Sequence, residues 1–214
     1  CLGGGSPMDA GKFIRVQYEN PGVSIDDLAS RFVELRKRTH AFPDHGTKIH
    51  TVVCIPTTSG TASEVTPFSV VTDDDGNKLS LFSYHMTPDI AIVDASYTTQ
   101  LPKSLVAHAG LDAITHAVES YVSVAANDFT KPLSKRALKL LVDNLANSYH
   151  HGDDVSRELV HHGSTIAGMA FSNSFLGVCH SLSHKIGAHF HLPHGLVNAI
   201  LLPYVMEYNA VENP

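Results

Sequence analysis

The amino-acid sequence predicts a two-part protein, an α/β piece over residues 1–100 followed by an all-helical piece over residues 101–214. Three observations carry this prediction. Up to residue 100, short β-branched runs alternate with segments of helical periodicity. After Pro102 only helical periodicity remains, interrupted at Gly152, at Gly177 and at Pro193-His194-Gly195. The chain has 214 residues, 43% of them hydrophobic and 17% charged, which is enough apolar material for a sizeable core.

Taken in order, Cys1-Leu2-Gly3-Gly4-Gly5-Ser6 reads as a glycine turn, and Pro7 to Tyr18, with Met8, Phe13, Ile14 and Val16, reads as a helix opening directly after it. Such a junction offers free N–H groups and a positive dipole end to a phosphate, although an ordinary tight turn has the same composition. No strand precedes the turn and the sequence stops at Glu212-Asn213-Pro214, so the chain reads as an internal piece of a longer polypeptide. Ser24 can cap a helix through Leu28, Phe32 and Leu35, with acids early and Arg36-Lys37-Arg38 late. Ile49 to Ile55 predicts a strand buried on both faces. Thr66–Thr72 and Leu79–Phe82 flank Asp73-Asp74-Asp75-Gly76-Asn77 as a hairpin, and Ile90 to Val93 predicts another short buried strand. Helices are predicted at roughly 103–124, 133–149, 155–175, 177–190 and 195–209.

Composition excludes several classes of function. There are 15 Lys+Arg against 21 Asp+Glu, a net charge of −6, and the longest basic run is Arg36-Lys37-Arg38, so nucleic acid is not an expected partner. No apolar stretch reaches the ~18 residues of a membrane span, so no membrane is expected either. Three unevenly spaced cysteines and no signal-peptide pattern predict a reducing, cytoplasmic setting. The distinctive feature is 15 histidines crowded towards the last third.

Two clusters carry chemistry. In Gly110-Leu111-Asp112-Ala113-Ile114-Thr115-His116, Asp112 and His116 are four apart and share a helical face. In Gly177-Val178-Cys179-His180-Ser181-Leu182-Ser183-His184 the same spacing joins His180 to His184, and His189, His191 and His194 follow. An isolated Asp-x-x-x-His pair is ordinarily surface polarity or a local hydrogen bond. These pairs, however, sit among small and apolar residues, and buried ionisable groups need partners. One carboxylate with several imidazoles suits Fe²⁺ or Zn²⁺ better than Mg²⁺ or Ca²⁺. Spacing alone leaves open which of His180, His184, His189, His191 and His194 are ligands. The remaining histidines, including His40, His45, His50, His85, His108, His150, His151, His161 and His162, fall in polar stretches and are expected to be solvated.

Pro56-Thr57-Thr58-Ser59-Gly60-Thr61 follows a predicted strand, where ligands bind in open α/β sheets, although a polar turn with local hydrogen bonds has the same composition. Without a Gly-x-Ser-x-Gly elbow, a nucleophilic role for Ser59 has little support.

Taken together, Gly-Gly-Gly-Ser-Pro-Met-Asp, Pro-Thr-Thr-Ser-Gly-Thr-Ala-Ser-Glu-Val-Thr, Gly-Leu-Asp-Ala-Ile-Thr-His-Ala and Gly-Val-Cys-His-x-x-x-His before Leu-Pro-His-Gly resemble the iron-containing (group III) alcohol dehydrogenases, in order along the whole chain. Val-Glu-Leu-Arg-Lys-Arg, Tyr-Val-Ser-Val and Phe-Leu-Gly-Val-Cys-His resemble in particular the alcohol dehydrogenase half of bifunctional aldehyde–alcohol dehydrogenases. The resemblance implies a dehydroquinate-synthase-like architecture: a nucleotide-binding α/β domain and a helical metal-binding domain, here incomplete at both ends. It implies Asp112, His116, His180 and His194 as ligands of Fe²⁺, with Zn²⁺ the alternative, and His184 as a non-ligand that relays a proton. It further implies Gly4, Gly5 and Ser6 at the pyrophosphate of a nicotinamide dinucleotide with Asp9 nearby, Thr57, Thr58 and Thr61 along the cofactor, and Lys78 at its ribose or phosphates. The position that selects NAD over NADP lies outside the chain. The implied activity interconverts a short-chain aldehyde and a primary alcohol, acetaldehyde and ethanol in the first instance, in a parent that forms oligomers or filaments. Two alternatives stand beside it. One is a metal- and NAD-dependent lyase or synthase of the 3-dehydroquinate synthase type. The other is a catalytically incompetent assembly fragment.

Overall fold

The computed structural model of the chain describes residues 1–25, 48–49, 51–73 and 78–212. The chain divides into two compact units, one formed by Cys1–Pro56 and Ser63–Ile92, the other by Thr57–Ala62 and Val93–Pro214. The predicted helix capped by Ser24 and the tip of the predicted hairpin lie outside the described residues.

In the first unit, β1 (Leu2–Gly3), β2 (Val53–Pro56) and β5 (Ile90–Ala91) form a parallel sheet in the order β1-β2-β5. β1 and β2 end side by side, Gly3 opposite Pro56. The helix predicted after the glycine turn is α1 (Gly5–Glu19). β3 (Phe68–Thr72) and β4 (Lys78–Phe82) make the predicted antiparallel hairpin, with Thr72 opposite Lys78. Val16 of α1 packs with Leu81 and Met86, while Met8 packs with Val52 and Cys54.

Two strand predictions need correction. Among the described residues, the strand expected over Ile49–Ile55 begins at Val53: Ile49 N–H donates to Glu19 and Val52 N–H to Asp89, side-chain partners that take these two groups out of a ladder. The strand expected to be buried at Ile90–Val93 is two residues long and lies at the sheet edge among the described residues, with Ile90 and Ile92 about half exposed.

Polar groups hold α1 in place. Asp9 accepts hydrogen bonds from Ser63 Oγ (2.5 Å) and Val70 N–H (3.0 Å). Fully buried Lys12 donates to the Thr66 and Phe68 carbonyls, both at 2.9 Å. Burial lowers the Lys12 pKa to about 8 against the opposing pull of Asp9.

The second unit contains the helices foreseen by periodicity: α2 (Lys103–Val122), α3 (Thr130–His150), α4 (Asp154–Ser174), α5 (Val178–Phe190) and α6 (His194–Glu212). Asp153 caps α4 by accepting the Ser156 N–H. Ala113, Ala117, Ala137, Leu141, Val160 and Ala167 form a core in which small side chains let α2, α3 and α4 approach closely. A Cβ on Gly163 would come within 2.9 Å of Leu141. No described helix is long and apolar enough to cross a membrane.

Candidate metal centre

Three helices of the second unit meet at one buried polar cluster. Asp112 and His116 come from successive turns of α2, His180 from the first turn of α5 and His194 from the start of α6. Asp112, His116 and His180 are each no more than 5% exposed, and their potential ligand atoms lie within 4.8 Å of one another. Asp112 Oδ1 is 3.5 Å from both His180 Nε2 and His194 Nε2. The rings of His116 and His180 stack at 4.5 Å between centroids, and His116 also stacks on Phe171 at 4.4 Å.

Each imidazole spends its other nitrogen on the protein. His116 Nδ1 lies 3.2 Å from the Gly60 carbonyl, His180 Nδ1 lies 2.5 Å from Glu119 Oε2, and His194 Nδ1 lies 3.1 Å from Ser183 Oγ. The carbonyl and carboxylate can only accept. Ser183 Oγ, which donates to the His194 carbonyl, also accepts. All three rings are therefore assigned the Nδ1–H tautomer, so that each Nε2 carries a lone pair, in His180 and His194 facing Asn198 Nδ2, that can meet a cation. One carboxylate and three such nitrogens, all but the partly exposed His194 buried, fit a divalent transition ion.

The electrostatics agree. Burial opposes ionisation of Asp112, yet His116, His180 and His194 hold its carboxyl well below the usual carboxylate range. Burial pushes His116 down to about 3, leaving it neutral. Burial also disfavours the charged form of His180, but hydrogen bonds and charge from Asp112 and Glu119 outweigh it and raise the pKa to about 9. Cys179, next to it, is pushed up to about 12 by burial and by Glu119 and Asp112, so its thiol stays protonated.

Of the other residues singled out, His184 is half-buried, its ring 4.7 Å from that of His194 and 6.4 Å from that of His180. His189 and His191 are exposed and take no part. Thr57, Thr58 and Thr61, all half-buried, belong to the loop whose Gly60 carbonyl meets His116. A Cβ on Gly60 would come within 2.8 Å of the Ala109 backbone. In the first unit, Gly4 precedes α1 without a side-chain cap, and Gly3 has φ +149°, where a Cβ would also meet Pro7 at 2.8 Å. The N–H groups of Gly5 and Ser6 open α1, Asp9 is committed inside the unit, and Lys78 is exposed at the start of β4.

Sequence reasoning missed three groups. Glu119 is buried against His180, and its position, seven after Asp112 and three after His116 on one helix face, was the available signal. Fully buried Asn198, four after His194, places Nδ2 at 2.7 Å from Asp112 Oδ1 and 3.1 Å from the Nε2 atoms of His180 and His194. His161, expected to be solvated, is instead 1% exposed, with Nδ1 at 2.9 Å from Ser59 Oγ. It lies one turn after Arg157 and one before Thr165, both also buried, so the inward face of α4 overrides the polar local sequence.

A helical unit with a buried carboxylate–histidine cluster able to hold a metal ion is thus joined in one chain to a parallel α/β unit with a glycine turn. The chain belongs to the iron-containing alcohol dehydrogenase family. Residues 1–95 match the iron-containing alcohol dehydrogenase model, and residues 106–214 match the C-terminal model of that family. The chain is 55% identical, over its whole length, to the bifunctional aldehyde-alcohol dehydrogenase of Escherichia coli, of which it covers 24%. It is 45% identical over 98% of its length to the NADPH-dependent butanol dehydrogenase of Clostridium saccharobutylicum, covering 52% of that protein. Among solved structures, the iron-containing alcohol dehydrogenase of Thermococcus thioreducens matches 99% of the chain at 35% identity with a TM-score of 0.88, the chain covering 54% of it. The chain thus spans about a quarter to a half of the length of these relatives. These matches set aside the lyase or synthase alternative.

Proposed function

We propose that the polypeptide containing this chain is a metal-dependent alcohol dehydrogenase that interconverts a short-chain aldehyde and its primary alcohol with a nicotinamide dinucleotide. One observation carries the reading: Asp112, His116, His180 and His194 converge from three helices with every Nδ1 engaged, so that one oxygen and three nitrogens can serve a cation. Fe²⁺ is the proposed ion, on the family's description, with Zn²⁺ chemically compatible with the same donors. When bound, the ion supplies Lewis-acid polarisation of the substrate oxygen.

The chain's own residues do the rest. His116 and His180 are held by stacking and by their Nδ1 partners, so the donors are ordered before the ion arrives. His184, one turn after His180 and with its ring 4.7 Å from that of His194, is proposed to accept a proton from the reacting oxygen and pass it outward. Gly4, Gly5 and Ser6 offer the uncapped N-terminus of α1 to the pyrophosphate, and Asp9 braces that turn from behind. Thr57, Thr58 and Thr61 are proposed to line the cofactor, and Lys78 to meet its ribose or phosphates. NAD is the proposed cofactor. The NADPH dependence named for the Clostridium saccharobutylicum relative keeps the phosphorylated form as the other arm of the assay.

Acetaldehyde and ethanol are the proposed substrate pair, on the likeness to the Escherichia coli aldehyde-alcohol dehydrogenase. The three cysteines are unpaired, two of them buried, which suits a cytoplasmic setting. Self-association into oligomers or filaments is part of the proposal and is read by light scattering of the full-length parent. His194→Ala in that parent should abolish bound metal and aldehyde-dependent NADH oxidation together. A metal-free variant that still reduced acetaldehyde at the parental rate would refute the assignment.

A further inference from the structure

Glu119 lies outside every motif that carried the family resemblance, yet it is 2% exposed and both its oxygens are engaged. Oε2 meets His180 Nδ1 at 2.5 Å and accepts the His180 backbone N–H at 3.3 Å, while Oε1 accepts the Cys179 N–H at 2.7 Å. A buried carboxylate costs several kcal/mol unless its charge is used, and here three donors use it.

We propose that Glu119 is a positioning residue of the metal centre, one that holds the His180 ring through Nδ1 so that Nε2 faces Asp112 and the incoming cation. The inference rests on the metal-centre reading above and adds to it a residue that contacts neither metal nor substrate.

Three observations converge on this role. Asp112, His116 and Glu119 occupy successive turns of one face of α2, so a single rigid helix carries two donors together with the support of a third. The partners of the other imidazoles are neutral, the Gly60 carbonyl for His116 and the Ser183 hydroxyl for His194. His180 receives an anion at Nδ1, and that contact strengthens Nε2 as a donor. Finally, Gly177 makes room for the carboxylate, since a Cβ there would lie 2.9 Å from Glu119 Oε1 and 3.5 Å from its Cδ. Gly177 has φ −130°, which any residue can adopt, so space rather than backbone conformation calls for glycine.

A simpler role would be capping alone. Cys179 and His180 supply first-turn N–H groups of α5, and an acid there is favourable in itself. The two roles predict different results for Glu119→Gln. Glutamine has one acceptor oxygen where glutamate has two, so it cannot serve both His180 Nδ1–H and the Cys179 N–H.

The test titrates the full chain, prepared without metal, with Zn²⁺ against a competing chelator. It also records the visible spectrum of the Co²⁺ form and the unfolding midpoint of the metal-free protein. A positioning role predicts 10–100-fold weaker Zn²⁺ binding in Glu119→Gln with a shifted Co²⁺ band. It predicts a smaller loss in the same direction for Gly177→Ala, which displaces the carboxylate without altering any donor. If both variants bind Zn²⁺ within twofold of the parent with an unchanged Co²⁺ band, the proposal is overturned, and a lower midpoint alone would mark Glu119 as a helix cap. Asp112→Ala separates this failure from a wider one. If Asp112→Ala binds Zn²⁺ as the parent does, the metal-centre reading itself falls, and the positioning role falls with it.

Discussion

Protonation of His161 should destabilise the protein in mild acid. The ring is 1% exposed, Nδ1 faces Ser59 Oγ at 2.9 Å, and Nε2 is buried without a hydrogen-bond partner among the described residues. A second N–H and a positive charge would have no acceptor there, which burial penalises heavily. Burial, helped by the like charge of His162 and opposed by Asp94, lowers its pKa from 6.5 to about 4. The unfolded chain takes up the proton below about 6.5 and the folded protein only below about 4. Stability is therefore complete above pH 6.5 and declines as the pH falls from 6.5 towards 4. A displacement of that size corresponds to roughly 3 kcal/mol at most. His161→Gln retains a hydrogen-bonding partner for Ser59 but does not titrate. Urea unfolding of parent and variant, followed by circular dichroism at pH 7 and pH 4.5, isolates the contribution of this ring. The stability difference between the two should change by about 2–3 kcal/mol over that interval, with the parent losing more. A difference constant to within about 0.5 kcal/mol would show that His161 ionises as freely folded as unfolded, and would refute the reasoning.

Two further outcomes are expected. Gly195→Ala puts a Cβ into the backbone carbonyl of His108 in α2. The helix-propensity gain of up to ~1 kcal/mol is outweighed by overpacking of about 1–3 kcal/mol, so the thermal midpoint should fall and Zn²⁺ binding should weaken as neighbouring His194 moves from Asp112. A midpoint at or above that of the parent would contradict the packing described. His184→Ala in the full-length parent should keep the metal but slow turnover, read by metal analysis beside steady-state kinetics. Loss of metal would instead make His184 a ligand.

Much of the helical unit was legible because helices advertise themselves locally. Glycine and proline mark the α3–α4, α4–α5 and α5–α6 junctions within a few residues, and the four-residue spacing of Asp112 with His116 and of His180 with His184 placed each pair on one face. The strands were less legible. Periodicity shows where a chain can extend, but β2 begins at Val53, and the Val52 N–H before it goes to Asp89, 37 residues away.

By itself, then, the sequence determined the order of elements, the glycine turn that opens α1, and the chemical character of a carboxylate–imidazole cluster. Only the tertiary structure decided that Asp112 meets His180 and His194 at 3.5 Å, that Asn198 reaches all three of these residues, and that Glu119 backs His180 while His161 turns inward. The reason is physical. Periodicity records which face of a helix is apolar, whereas the partner of a buried polar group is set by how separate helices pack, and in α2, α3 and α4 that packing is governed by small residues such as Ala113, Ala117 and Ala137.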